Sequence, residues 1–222
     1  MTTWRSEWAD KKSKLALELG NGGCGASYGE AVLILCAALS AFAAEVWPGT
    51  GIDRKRFVQL LMRFSPSDLS PTLISVPILA GYVRKQRRRG ALRRLHQSFL
   101  NFGHSRVVTG HDVDKPEKEI LSVCPSLKKR EMRDFSYASL LYREVRSGYV
   151  HEYRPGGRAD SWAMAARNDV HVSYVNWAND PDRHIHFHVP WLCALVTETA
   201  KAVDGISKRL PLRKPKRWWS DG

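Results

Sequence analysis

Between residues 143 and 157 the chain reads REVRSGYVHEYRPGG, which gathers Arg143, Arg146, Ser147, His151 and Tyr153 at the end of an expected helix. A guanidinium can clamp a phosphate with two parallel hydrogen bonds, an imidazole can carry a proton near neutral pH, and a phenol can donate or accept. These parts suffice for metal-free RNA cleavage. The ribose 2′-OH would attack its neighbouring phosphorus, His151 would transfer the proton, and Arg146 would stabilise charge developing on the phosphoryl oxygens.

At about 100° per residue, Arg146 and His151 diverge by roughly 140° around a helix, whereas Tyr153 returns to within about 20° of Arg146 if the helix continues, and His151 lies beside that face within reach of a long arginine side chain. One histidine must also serve both deprotonation and leaving-group protonation, so a symmetric dimer that brings two copies around one phosphate is expected. A simpler role exists for the same residues: Arg143, Arg146 and His151 suit the negative end of a helix dipole as C-terminal cations.

The order RSGYVH followed by EY resembles the R-x4-6-H signature of the HEPN superfamily, and more closely the R-x4-H-x-Y form of toxins paired with minimal nucleotidyltransferases. Ser147 stands where many members carry Asn, Asp or His. The resemblance implies a mainly α, HEPN-like antiparallel helical bundle with a β-hairpin insertion before the last helix, forming a homodimer. It also implies a metal-independent endoribonuclease in a toxin–antitoxin or phage-defence setting. Arg146 and His151 would then be the catalytic pair, supported by Ser147 and Arg143. Tyr153 would be the tyrosine offered for modification by a cognate nucleotidyltransferase or antitoxin. No cofactor is implied.

The composition suits a polyanionic partner. Thirty-five Lys and Arg against 22 Asp and Glu give a formal net charge of +13, which points to RNA before a membrane surface. The densest basic patch holds Arg84, Lys85, Arg87, Arg88, Arg89, Arg93 and Arg94, candidate contacts to a nucleic-acid backbone or else a solvated helix face. This patch supports the alternative of a non-catalytic nucleic-acid-binding or regulatory module.

A third possibility is a histidine-bound metal. In HIHFH, His184, His186 and His188 alternate onto one strand face, and His171 on a partner strand could join them. No H-E-x-x-H or carboxylate pair accompanies them, so a solvated or RNA-facing strand is the favoured expectation and no metal is assigned. Cys24, Cys36, Cys124 and Cys193 form no C-x-x-C pair, consistent with a reducing cytoplasm. Without a G-x-S-x-G, nucleophilic catalysis has little support.

The elements around these residues follow from periodicity and punctuation. Residues 1–26 are expected to form a flexible arm without the marks of a signal peptide. Ser27-x-x-Glu30 matches a capping box and opens an apolar helix over about 28–46, bounded by glutamates and expected to be buried. Asp53 is expected to cap an amphipathic helix, and a third helix is expected over 127–149. Alternation then predicts a hairpin over about 170–189, followed by a last helix stopped near Gly205. The expected HEPN-like domain spans 27–207, with a basic tail over 208–222 in which Trp218 and Trp219 follow KRLPLRKPKR.

Overall fold

A computed structural model describes residues 3–102, 107–161, 169–177, 180–213 and 215. The chain is mainly helical and carries a small antiparallel sheet. At its centre is α2, Tyr28–Val46, which buries Val32, Leu35, Leu39, Phe42 and Val46. Its long apolar run satisfies the length and composition of a membrane span, yet much of it lies inside the protein against α1 (Trp4–Gly20), α3 (Asp53–Phe64) and α11 (Val189–Gly205).

The capping box at the start of α2 is formed. Gly29 N–H donates to Ser27 Oγ at 3.2 Å, while Ser27 N–H and Oγ–H donate to Glu30 at 2.8 and 2.6 Å. These contacts satisfy amides that have no partner within the first turn. Ser27→Ala is therefore expected to cost about 1 kcal/mol. Thermal unfolding should register this as a fall in Tm of about 2–4 °C.

In place of a loose arm, most of the first 26 residues form α1. Ala9, Ser13 and Ala16 lie buried on one face, and the small side chains let the helix settle close against α2 and α11. Trp8 meets Phe42 edge-on at 5.6 Å, and Arg5 bridges Glu45 and Asp204. The tail also begins against the core: Leu212 N–H donates to Val46 O at 2.9 Å, and Leu210 packs nearby. Residues 214 and 216–222 of that tail lie outside the described residues.

The helix expected over 127–149 is two helices. α8, Lys129–Arg133, ends before Phe135, whose carbonyl accepts from Ser75 N–H at 2.9 Å, while Ser136 pairs with Ile74. Ser136 then caps α9, Tyr137–Leu140, by accepting from Ser139 N–H. The helical path passes through a π turn over Leu141–Arg146 and continues as α10, Ser147–Glu152. Asp53 likewise differs from expectation: it is the first residue of α3 and pairs with Arg56, while Ile52 occupies the cap position.

The sheet has the order β1–β2–β3, from Val108–Thr109, Val172–Asn176 and Arg183–Phe187. Tyr174 pairs with Ile185 and Ser173 with His186. The sheet is tied to the helices by buried Asp114, which accepts from Tyr137 and Tyr174 hydroxyls at 2.5 Å each and from Val76 N–H at 3.0 Å. Tyr174 Oη also lies 2.8 Å from Ser75 Oγ. Burial pushes the Asp114 carboxyl up to about 7, although these hydrogen bonds pull in the opposite direction.

Candidate functional site

The motif occupies the last turns of the α9–π–α10 path, where the chain reaches solvent and reverses. Tyr153 stops the helix in a left-handed conformation, with φ 53°. The following segment folds back until Gly156 N–H donates to Glu144 O at 2.6 Å, and Ala159 then bridges to Ile185 of β3 (Arg183–Phe187). A side chain at Gly148 would meet Arg154 O at 2.5 Å, and one at Gly156 would meet Glu144. Gly148 is thus required by close approach of backbone within the reversal, whereas at Gly156 the nearest obstacle is the Glu144 carboxylate.

Arg146 is half-buried and faces α2. Its Nε lies 3.4 Å from Ser40 Oγ, and its guanidinium sits 5.3 Å from the centre of the Tyr142 ring. The nearby Cys36 thiol is pushed up to about 12 by burial, against the opposing pull of the Arg146 charge. His151 is exposed and has no hydrogen-bond partner among the described residues. It follows Arg146 by about 7.5 Å along the helix axis and about 140° around it. Arg146 is thus engaged toward α2, while His151 is open to solvent.

Ser147 opens α10 and is half-buried. Tyr153 is exposed, and its hydroxyl donates to Glu30 in the α2 capping box. Hydrogen bonds from Ser27 and then Tyr153 hold the Glu30 carboxyl down to about 2, while the Glu30 contact pushes the Tyr153 phenol up. Arg143 turns elsewhere: Nε donates to Glu144 at 2.7 Å, Nη1 donates to Asp134 O at 3.2 Å, and the guanidinium lies 5.7 Å from the Phe135 ring centre.

The basic patch is divided by a break between α4, Val76–Lys85, and α5, Arg89–Phe99. Arg84 and Lys85 both pair with Asp182, and Arg88 donates to Glu131 at 2.6 Å and Ser126 O at 2.8 Å. Arg87 occupies the left-handed turn between the helices and is exposed. Arg89, Arg93 and Arg94 are exposed on α5, so the cations open to a polyanion are fewer than the run suggested.

The histidines depart most from expectation. His186 and His188 are 2% and 1% exposed, so this is a core position and not a solvated strand face. The His186 ring centre lies 4.5 Å from that of Tyr28 in a tilted arrangement, His188 lies 2.8 Å from Ser173 Oγ, and His184 bonds Asp180 at 2.9 Å. His171 stacks on Trp191. His186 and His188 meet edge-on at 5.2 Å, and no three His, Cys, Asp or Glu side chains among the described residues converge as a metal-ligand group. Burial, followed by the neighbouring His188, lowers His186 to about 4 and keeps it neutral.

Sequence reading missed Lys128, Arg130 and Arg158, which line a cleft of about 760 Å³ together with Arg88 and Arg143. Their separation along the chain leaves no local motif. No protein-family model, curated protein or solved structure matches this chain.

Proposed function

We propose that the protein is a metal-independent endoribonuclease of HEPN type, cleaving RNA by 2′-OH attack at a site completed by two copies of the chain. The observation that carries this reading is the location of the R-x4-H-x-Y residues at a solvent-facing helix end, with His151 exposed and unpartnered among the described residues. Arg146 is the charge clamp and His151 the proton carrier. Because one histidine must serve both deprotonation and leaving-group protonation, a second copy supplies the complementary groups at the scissile phosphate. In a toxin–antitoxin or defence setting in the cytoplasm, Tyr153 is the residue open to modification by a nucleotidyltransferase, and Glu30 is the contact it must leave.

The second reading is a nucleic-acid-binding module without catalysis. It is favoured by the engagement of Arg146 with Ser40 and Tyr142 inside its own chain. The two readings separate when RNA is incubated with the wild type, Arg146→Ala and His151→Ala in EDTA and the product ends are analysed. Catalysis predicts wild-type products ending in 2′,3′-cyclic phosphate and their loss in both variants. Retention of intact RNA by all three proteins supports the binding module and overturns the ribonuclease.

A further inference from the structure

The cleft formed by Tyr82 of α4, the α8 region, Phe135 and the segment returning from α10 contains an excess of positive charge that its own carboxylates do not neutralise. Glu131 is bound by Arg88 at 2.6 Å, Asp134 by Arg54 at 2.7 Å, and Arg143 by Glu144 at 2.7 Å. Although burial pushes Glu131 upward, its hydrogen bonds from Arg88 and Tyr82 prevail and hold it below the usual carboxylate range. It is therefore charged and already paired. Lys128, Arg130 and Arg158 remain without a carboxylate partner among the described residues.

Two further observations point to an anion. The guanidiniums of Arg143 and Arg158 lie 5.7 and 5.5 Å from the centre of the same Phe135 ring, so like charges share one aromatic support. The ring offsets part of their repulsion, and an anion would offset more. Arg143 Nη2 is also buried without a hydrogen-bond acceptor, even though Nε and Nη1 are both bound. A buried donor left in this state carries a desolvation cost that a ligand oxygen would remove.

We propose that this cleft binds a phosphate-bearing polyanion, with Arg143 and Arg158 holding phosphate oxygens and Lys128 and Arg130 neutralising the remaining charge. Its volume of about 760 Å³ admits several linked phosphates, and guanidinium donors suit their oxygens better than a single ammonium would. The shared chemistry is that of a free oligophosphate or a nucleic-acid backbone. This assignment is independent of cleavage at His151.

The test measures tripolyphosphate binding by titration calorimetry and binding of a labelled single-stranded RNA by fluorescence anisotropy. Wild-type protein is compared with the combined Lys128→Gln, Arg130→Gln and Arg158→Gln variant, and with a control carrying Lys11→Gln, Lys14→Gln and Arg63→Gln. The control removes the same formal charge from exposed positions on α1 and α3. Circular dichroism verifies folding, and the single substitutions at exposed Lys128 and Arg130 provide the test if the combined variant fails to fold.

The cleft variant should weaken tripolyphosphate binding by about tenfold or more, and the α1 and α3 control by less than about threefold. If RNA affinity falls in parallel and tripolyphosphate displaces RNA, the cleft receives a nucleic-acid backbone; if RNA affinity is unchanged, it receives a free oligophosphate. Absence of tripolyphosphate binding to the wild type, or equal weakening in both variants, overturns the proposal. Neither result depends on whether the protein cleaves RNA.

Discussion

His151→Ala should reduce chelator-resistant RNA cleavage by about 10²–10⁴-fold, the range contributed by a positioned acid or base, without appreciably shifting the unfolding transition. The separation of these readouts follows from its surroundings: His151 is exposed and makes no hydrogen bond among the described residues. If it served only as a cation at the helix end, the substitution would instead cost about 0.3–1 kcal/mol of stability and leave RNA chemistry untouched. Arg146→Ala is a less isolated change because it also removes the contacts with Ser40 and Tyr142. Arg146→Lys resolves this difficulty by retaining a cation while losing the guanidinium fork, and cleavage should remain strongly impaired. Gel analysis of labelled RNA in EDTA, paired with thermal unfolding, tests the series. Wild-type cleavage rates in His151→Ala would eliminate the assigned proton transfer.

The expected RNA site and the observed fold were unequally visible in the residue order. Ser27 and Glu30 announce the start of α2 because a capping box is local chemistry, and the alternation around Tyr174 and Ile185 announces the hairpin because strand pairing has a period of two. Helix α1 escaped because its buried face is Ala9, Ser13 and Ala16, which provide close approach without a strong apolar stripe. The break before Tyr137 escaped for another reason: Ile74 and Ser75 take the backbone positions at Phe135 and Ser136 from far along the chain.

The same distinction applies to the candidate sites. The order of Arg146, His151 and Tyr153 was legible, and so was its position at a helix end. The packing of Arg146 against α2 was not, because Ser40 is remote in sequence. In the phosphate cleft, Arg143 and Arg158 converge on Phe135 only after the glycine-dependent reversal has brought the chain back. HIHFH shows the opposite failure: its alternation was visible, but composition suggested exposure where Tyr28 and the core enclose His186.

Those buried groups lead to the second large prediction, a pH dependence revealed by Asp114→Asn. Asp114 has a native carboxyl pKa of about 7, above the ordinary value of 3.8, so the folded state holds its proton more tightly than the unfolded state. Its stabilising contribution is present below pH 4 and falls as pH rises toward 7, by about 4 kcal/mol in total. His186 acts with the opposite sign. Its native value of about 4 lies below 6.5, so lowering the pH through that interval protonates the unfolded state first and destabilises the fold by about 3 kcal/mol. In the wild type these two slopes largely cancel between pH 4 and 6.5. Asparagine at 114 keeps a neutral acceptor for Val76 N–H but removes the titration, leaving the His186 slope uncompensated. The variant should therefore lose more stability than wild type as pH is lowered from 6.5 to 4, and gain relative to it as pH rises toward 8. Urea unfolding across that range measures the difference directly. Parallel pH profiles for the two proteins would show that Asp114 does not carry a proton into the folded core, whereas a steeper acid loss in Asp114→Asn, flattened again by adding His186→Asn, assigns both opposing slopes.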